Sequence, residues 1–502
     1  MFKKLCLKLT IVTVLFSTCF SSCNKWLDLK PQDGITGAEF WKTKEQVQSA
    51  VMGCYSALLA SPTNSRPFSQ CAFLWGELRG DMVAATTGTT SDENDVISLN
   101  ILPTNTISDW RSVYQIINYC NTVIDNAPKV IGVDATFTQD ALKKAVAEAK
   151  TLRALMYFYL VRTFGDVPLK LKSSSSDTDI EPIAKSSQDD VLTQILKDLG
   201  EAEPDAVTTY GDKASDKGRV TVYLVNALQA DVNLWMGKYN ECISACNKVI
   251  NSNKFGLIDG SSADVWYNTL YGVGNSNEGI FELQYDKQAL NSFYDLLQSP
   301  RRHLIANPAV LDELYTVDPI DPVNNRDIRA DGGSVRSSDG MIWKYAGWNS
   351  TTARASTESY AHWIAYRYAD ILLMKAEALN ESGNGQGALD LITQIRNRAR
   401  ALPATNFNPS PTDRLGVEDF ILQERAREFA YEGKRWFDLL RFAKRNNYER
   451  IDILLDVVAK TVPPDRQQSA IAKIKDKNSH YLPIYFYELQ TDKLLVQNPF
   501  YK

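Results

Sequence analysis

Three kinds of residue in this chain have the types and spacing to do chemistry: grouped carboxylates, tryptophans in polar stretches, and two cysteines one helical turn apart. Glu424, Glu428 and Glu432 recur every four residues and would line one helix face, an arrangement that could serve acid–base work on a glycosidic bond. Arg425, Arg427 and Arg435 are interleaved with them, and Arg396, Arg398 and Arg400 precede them. Interhelical ion pairing is therefore the simpler reading. Glu77, Asp81 and the run Asp92-Glu93-Asp95 lie in a polar stretch beside Trp75 and are better placed for a glycosidase, whose two carboxyls need a defined separation. The same run could instead hold calcium through its oxygens, although it lacks EF-hand spacing, and solvated loop acids are the plainest reading. Cys242 and Cys246 share a helix face, yet His303, His362 and His480 are the chain's three histidines. Buried thiols fit better than a zinc site. With no phosphate-binding glycine loop, no Gly-x-Ser-x-Gly and no histidine set for a triad, neither an enzyme nor a cofactor or metal is expected.

The tryptophans divide by context. Trp110, Trp235, Trp363 and Trp436 sit in helical patterns and are expected in the core. Trp75, Trp266, Trp343 and Trp348 fall in stretches expected as loops. An exposed indole face suits a sugar ring, whose C–H groups pack on the π surface while hydroxyls seek polar partners. The candidate ligand residues are those four tryptophans, with Arg79 and Asp81 as hydroxyl partners. The run Ile342-Trp343-Lys344-Tyr345 reads equally well as a core strand.

The elements that must position these groups are helical. In the run from Arg367 to Glu381, Ala369, Leu372, Ala376 and Leu379 recur at three and four, with Ala365 just before, giving one narrow apolar stripe. Gly383, Gly385 and Gly387 break the run, and Ala388, Leu391, Ile392, Ile395 and Ala399 carry a second stripe. Two such helices form an antiparallel hairpin. Residues 219–250 can be laid on it: Ala230 on Ala376, Gly237 on Gly383, Cys242 on Ala388, Val249 on Ile395. Self-similarity of this kind means hairpins that bury their stripes by stacking, so about four tetratricopeptide-like pairs are expected. Further helices are expected at Lys44–Leu59, Trp110–Ile124, Asp140–Phe164 and Asp189–Leu199, and a single long one from Val417 to about Phe442. Residues 60–109 and 256–362 interrupt the periodicity and are expected to form a ligand face. Residues 446–502 read as mixed, ending in a strand or loop.

"RYADILLMKAEALNE", "IRNRAR", "ERAREFAYEGKRWFDLLRF" and "YLPIYFYEL…QNPFY" together resemble the SusD/RagB family of outer-membrane nutrient-binding lipoproteins. "LRA…FGDVPL", "NNRDIRADGG" and the opening Trp26-Leu27-Asp28, Pro31 and Phe40-Trp41 add to it. The resemblance implies a mostly α-helical chain, with scaffold at about 40–255 and 363–445 and a loop-rich insertion at about 256–362. It implies capture of oligosaccharides and their delivery to a SusC-like TonB-dependent transporter. A RagB-like receptor for peptides or another nutrient is the alternative within the family, and a surface glycosidase the alternative outside it.

Bulk composition agrees with a secreted globular chain. Hydrophobic content is 44% and net charge −5, and no basic run interleaved with aromatics points to nucleic acid. Residues 1–22 carry Lys3, Lys4 and Lys8 ahead of an apolar run from Leu9 to Phe20, shorter than the ~20 residues that span a bilayer. This reads as a signal peptide. Ser21-Ser22-Cys23 resembles a lipobox, although Phe20 stands where leucine is usual, so Cys23 is expected to carry lipid and anchor residues 23–502 to the outer membrane, facing outward. Loss of the leader's three lysines takes the net charge to −8. Among the mature cysteines, Cys54, Cys71, Cys120, Cys242 and Cys246, an odd number argues against a disulfide framework.

Overall fold

The structure, a computed structural model, describes residues 40–62, 65–175, 181–316, 318–321 and 325–502. The leader, Cys23 and the segment from Asn24 to Pro31 lie outside the described residues. Helices α1 (Lys44–Leu59), α2 (Phe68–Glu77), α3 (Arg111–Asn126), α4 (Gln139–Phe164), α5 (Gln188–Ala202), α6 (Val222–Trp235) and α7 (Tyr239–Ile250) lead to the insertion, which contains the short α8 (Pro308–Leu314). Then come α9 (Tyr368–Glu381), α10 (Gly385–Ala399), α11 (Arg414–Glu428), α12 (Arg435–Tyr448), α13 (Asp452–Thr461) and α14 (Pro464–Ile474). The helices pack as four antiparallel pairs, α1 with α3, α4 with α5, α6 with α7 and α9 with α10, and α7 against α9 continues the stack.

Local chemistry sets the ends. Thr43 caps α1 in a reciprocal box with Gln46, and Thr138 caps α4 through the amide of Ala141. The two aligned hairpins turn alike: Gly237 has φ +71° and Gly383 +84°, a left-handed conformation that costs glycine little. Ala230, Ala376, Cys242, Ala388, Val249 and Ile395 are all buried, as the sequence alignment of the two hairpins requires. The five cysteines among the described residues are free and buried.

Two expectations need correction. Residues 60–109 are not one loop: they contain α2, nine of whose ten residues are buried, and a short helix Ser91–Ile97. The helix expected from Val417 to Phe442 is two helices, broken between Glu428 and Arg435, where Tyr431 (φ +64°) and Gly433 (φ +69°) turn left-handed. The cause is packing against α2: a Cβ on Gly76 would lie 1.8 Å from the carbonyl oxygen of Gly433, so backbone meets backbone there. Residues 446–502 are mixed as expected: α13, α14 and a short helix, Phe486–Thr491, are followed by a loop that ends in a single 3-10 turn, Pro499–Tyr501.

Two small sheets fix the insertion. Strand β2 (Gly279–Leu283) pairs antiparallel with β6 (Trp363–Arg367), through two register shifts, so the chain leaves and re-enters the scaffold at one place. Strand β1 (Val83–Ala85) pairs with β3 (Leu304–Ala306), joining the first interrupting region to the second. Asn307 donates to the Asp81 carbonyl at 2.9 Å, and His303 Nδ1 lies 2.9 Å from Glu93. A hairpin, β4 (Val335–Arg336) with β5 (Met341–Ile342), completes the insertion.

Candidate functional site

A buried charge network couples insertion to scaffold. Arg367, at the end of β6, reaches Glu278 at 2.6 Å, Glu428 at 2.5 Å and Glu432 at 2.9 Å. Arg329 of the insertion meets Glu424 at 2.7 Å and Glu428 at 2.9 Å, and Lys344 meets Glu432 at 2.7 Å. Arg396 holds the other oxygen of Glu424, and Arg398 bridges Glu278 and Glu428. Burial opposes ionisation of these glutamates, but the arginines around them win: Glu428 is held well below the usual carboxylate range and Glu424 is lowered too. The three glutamates that could have passed for catalytic groups are ion-paired and sealed from solvent. Asp370 and Glu377 of α9, off its apolar stripe, are buried as well, against Lys434 and against Arg441 with Arg445. An Arg- and Glu-rich helix face here marks a second, charged core.

The structure moves five of the six candidate ligand residues into the core. Trp75 donates its indole N–H to the Ile107 carbonyl at 2.7 Å and meets Phe164 edge-on. Trp266 is fully buried, edge-on to Tyr271. Trp343 donates to the Asn349 carbonyl at 2.9 Å. Arg79 lies over the Trp436 ring, 4.5 Å from its centroid, and donates to the His480 carbonyl. Asp81 is clamped by Arg435 at 2.6 and 2.7 Å. None offers a free face or oxygen to a ligand. Three of the other acids are also engaged: Glu77 is buried and accepts from the amide of Gly433, Asp92 accepts from the amide of Thr106, and Glu93 boxes the start of its helix with Thr90. Among the described residues no group of three or more His, Cys, Asp or Glu could hold a metal ion. Trp110, Trp363 and Trp436 are core as expected, while Trp235 is half-buried, under the Lys444 ammonium.

Trp348 is different. It stays partly exposed on a narrow hairpin in which Trp348 N–H donates to the Thr352 carbonyl at 2.7 Å and Arg354 N–H to that of Ala346 at 2.7 Å. Asn349 closes the tip by accepting from the amides of Thr351 and Thr352. The base is pinned by Tyr267, whose hydroxyl donates to the Trp343 carbonyl at 2.7 Å and accepts from the amide of Gly347 at 3.1 Å. The guanidinium of Arg354 covers one face of the indole at 3.8 Å and is held by the carbonyls of Gly347 (3.0 Å) and Gly272 (2.7 Å). Tyr360 meets Trp348 edge-on at 5.4 Å, and the indole N–H donates to Glu358 at 3.0 Å. The Ala355 amide, then the Trp348 indole, lowers the Glu358 pKa. The result is a rigid aromatic pair with one cation behind it and a carboxylate at its edge, suited to stacking on a ring while accepting its hydroxyls. Sequence reasoning named Trp348 but missed Arg354, Glu358 and Tyr360; their closeness to it within a Ser/Thr-rich stretch was the available signal.

Stacked helical hairpins, closed by a loop-rich insertion whose partly exposed aromatics are braced from behind, define a helical binding scaffold. The chain belongs to the SusD family: residues 322–501 match the family model described as SusD family, and residues 25–217 match one described as starch-binding, associating with the outer membrane. SusD-like protein P38 of Formosa agariphila is 28% identical over 486 residues, spanning 87% of this chain and 92% of that protein. A SusD superfamily protein from Bacteroides vulgatus has the same fold, with a TM-score of 0.75 at 23% identity, over 92% of this chain and all of that one. A laminarin-binding SusD-like protein gives 0.69 at 22% identity, over 91% of this chain and all of that one.

Proposed function

We propose that this chain is a surface-exposed, glycan-binding lipoprotein that captures oligosaccharides and delivers them to a SusC-like TonB-dependent outer-membrane transporter. The observation that carries the reading is the braced Trp348–Tyr360 pair with ionised Glu358 at its edge. Family membership, and the saccharide bound by the laminarin-binding relative of like fold, support a glycan as the ligand class. The protein binds without cleaving: Glu424, Glu428 and Glu432, the carboxylates spaced along one helical run, are committed to arginine and lysine. Residues 1–22 act as a lipoprotein signal peptide and Cys23 carries the anchor, holding residues 23–502 beside the transporter at raised effective concentration.

Calorimetric titration of the intact chain with maltoheptaose, laminarihexaose, xylohexaose and a control pentapeptide tests this. Saturable binding of a saccharide, recovered at full length afterwards, is the expected result. Binding of the peptide alone, or shortened saccharide products, would contradict it.

A further inference from the structure

Apart from the Trp348 platform, the insertion holds a cleft of about 610 Å³ between α8 and the 326–340 segment, within the size range of small-ligand sites. Its floor is apolar, from Ile305, Leu311 and Val335, with Tyr315 beside them. Tyr315 spends its hydroxyl on the Arg427 carbonyl at 2.7 Å, which fixes the ring. Two of the carboxylates around the cleft are already engaged. Arg329 holds Asp327 at 2.9 and 2.6 Å; Arg336 holds Asp339 at 2.9 and 2.8 Å, with Arg302 at 3.1 Å.

Three acceptors are left over. Asp312 is exposed and has no ion-pair partner among the described residues. Asp331 accepts from the Ser337 amide at 2.7 Å through one oxygen, but half of its side chain stays exposed and Arg326 comes no nearer than 3.7 Å to the other oxygen. Thr316 Oγ1 is buried and makes no hydrogen bond among the described residues, an orphaned polar atom of the kind a bound group satisfies. The cleft adjoins the Trp348 hairpin: a Cβ on Gly332 would meet the carbonyl oxygen of Ser350 at 2.7 Å.

We infer that this cleft is a second saccharide subsite, taking an uncharged sugar unit and refusing an anionic one. An apolar floor accepts the C–H face of a sugar, and surplus acceptors require a ligand that donates, as hydroxyls do. A uronate or sulfate brought against Asp312 and Asp331 would be repelled, Arg326 being the one cation among the residues that line the cleft. The inference rests on the saccharide-binding reading above and adds the charge class of the ligand.

The test uses the intact chain, the neutral oligosaccharide that wild type binds, and oligogalacturonate. Ser338→Trp places an indole at an exposed turn on the rim, and Asp312→Asn with Asp331→Asn removes both open charges and exchanges one acceptor oxygen of each for an amide donor. Each variant should weaken the neutral oligosaccharide roughly tenfold at unchanged Tm, and the double asparagine variant should gain oligogalacturonate binding that wild type lacks. Wild-type affinity in either variant, or equal binding of oligogalacturonate and neutral sugar by wild type, overturns the subsite. If those variants bind normally while Trp348→Ala does not, the subsite is refuted and the capture function stands. If wild type binds no saccharide at all, both fall.

Discussion

Tryptophans with similar sequence surroundings have opposite fates, and the difference lies in what their N–H groups and faces meet. Trp266 is walled by Tyr271 and the Arg398 guanidinium, so Trp266→Ala should cost ~3–5 kcal/mol in urea unfolding because it opens a cavity. Local composition marks such stretches as polar loops but carries no information about which side chain a distant strand or helix covers, so Trp75, Trp266 and Trp343 were misplaced and Trp348 was not. Glu77 makes a second prediction at this scale. Burial pushes its pKa up to about 8 despite the amides of Gly433 and Lys434, against about 4.3 in an unfolded chain. Between those values the folded state binds the extra proton, so stability from this group is full below the lower pKa and is lost as pH rises toward 8. The slope approaches about 1.4 kcal/mol per pH unit. Glu77→Gln, neutral throughout, should remove that slope from stability measured across pH 5–8; an unchanged slope would assign it to other groups.

Among the elements, hairpins α6–α7 and α9–α10 are legible because α7 and α10 keep exposed polar residues against which their apolar stripes stand out, and because Gly237 and Gly383 mark the two turns. Helix α2 was not: with nine of ten residues buried it has no polar face and hence no period. The break after α11 was hidden for a related reason, since Phe429 to Lys434 keep a helix-like pattern and the interruption comes from the close approach of Gly76 to Gly433. Gly76→Ala should therefore destabilise by at least ~1–3 kcal/mol, seen as a lowered urea midpoint; an unshifted midpoint would mean the backbones can part freely. Arg367 ties β6 to three glutamates from two regions. Arg367→Met should cost ~3–5 kcal/mol by stranding buried carboxylates, and thermal unfolding of the variant measures it.

For the whole molecule, the expected meeting of residues 60–109 and 256–362 does occur, through β1 with β3 and the Asn307–Asp81 contact, but the aromatic platform lies elsewhere on the insertion. β2 and β6 bring the insertion's ends together, and the Arg329, Lys344 and Arg367 ion pairs hold it on the hairpin stack, so the platform moves with the scaffold and not with a mobile loop. In the proposed function, presentation at the outer membrane depends on lipid at Cys23. Metabolic labelling with a fatty-acid analogue should mark wild type and leave Cys23→Ala unmarked and released from membranes; equal label on both would rule out Cys23 as the anchor. The central claim, that Trp348 is the stacking surface for a captured oligosaccharide, is tested most directly by calorimetric titration of Trp348→Ala beside wild type, with melting curves for each. A loss of about tenfold in affinity at an unchanged Tm is predicted, and wild-type affinity in a folded Trp348→Ala protein would contradict it.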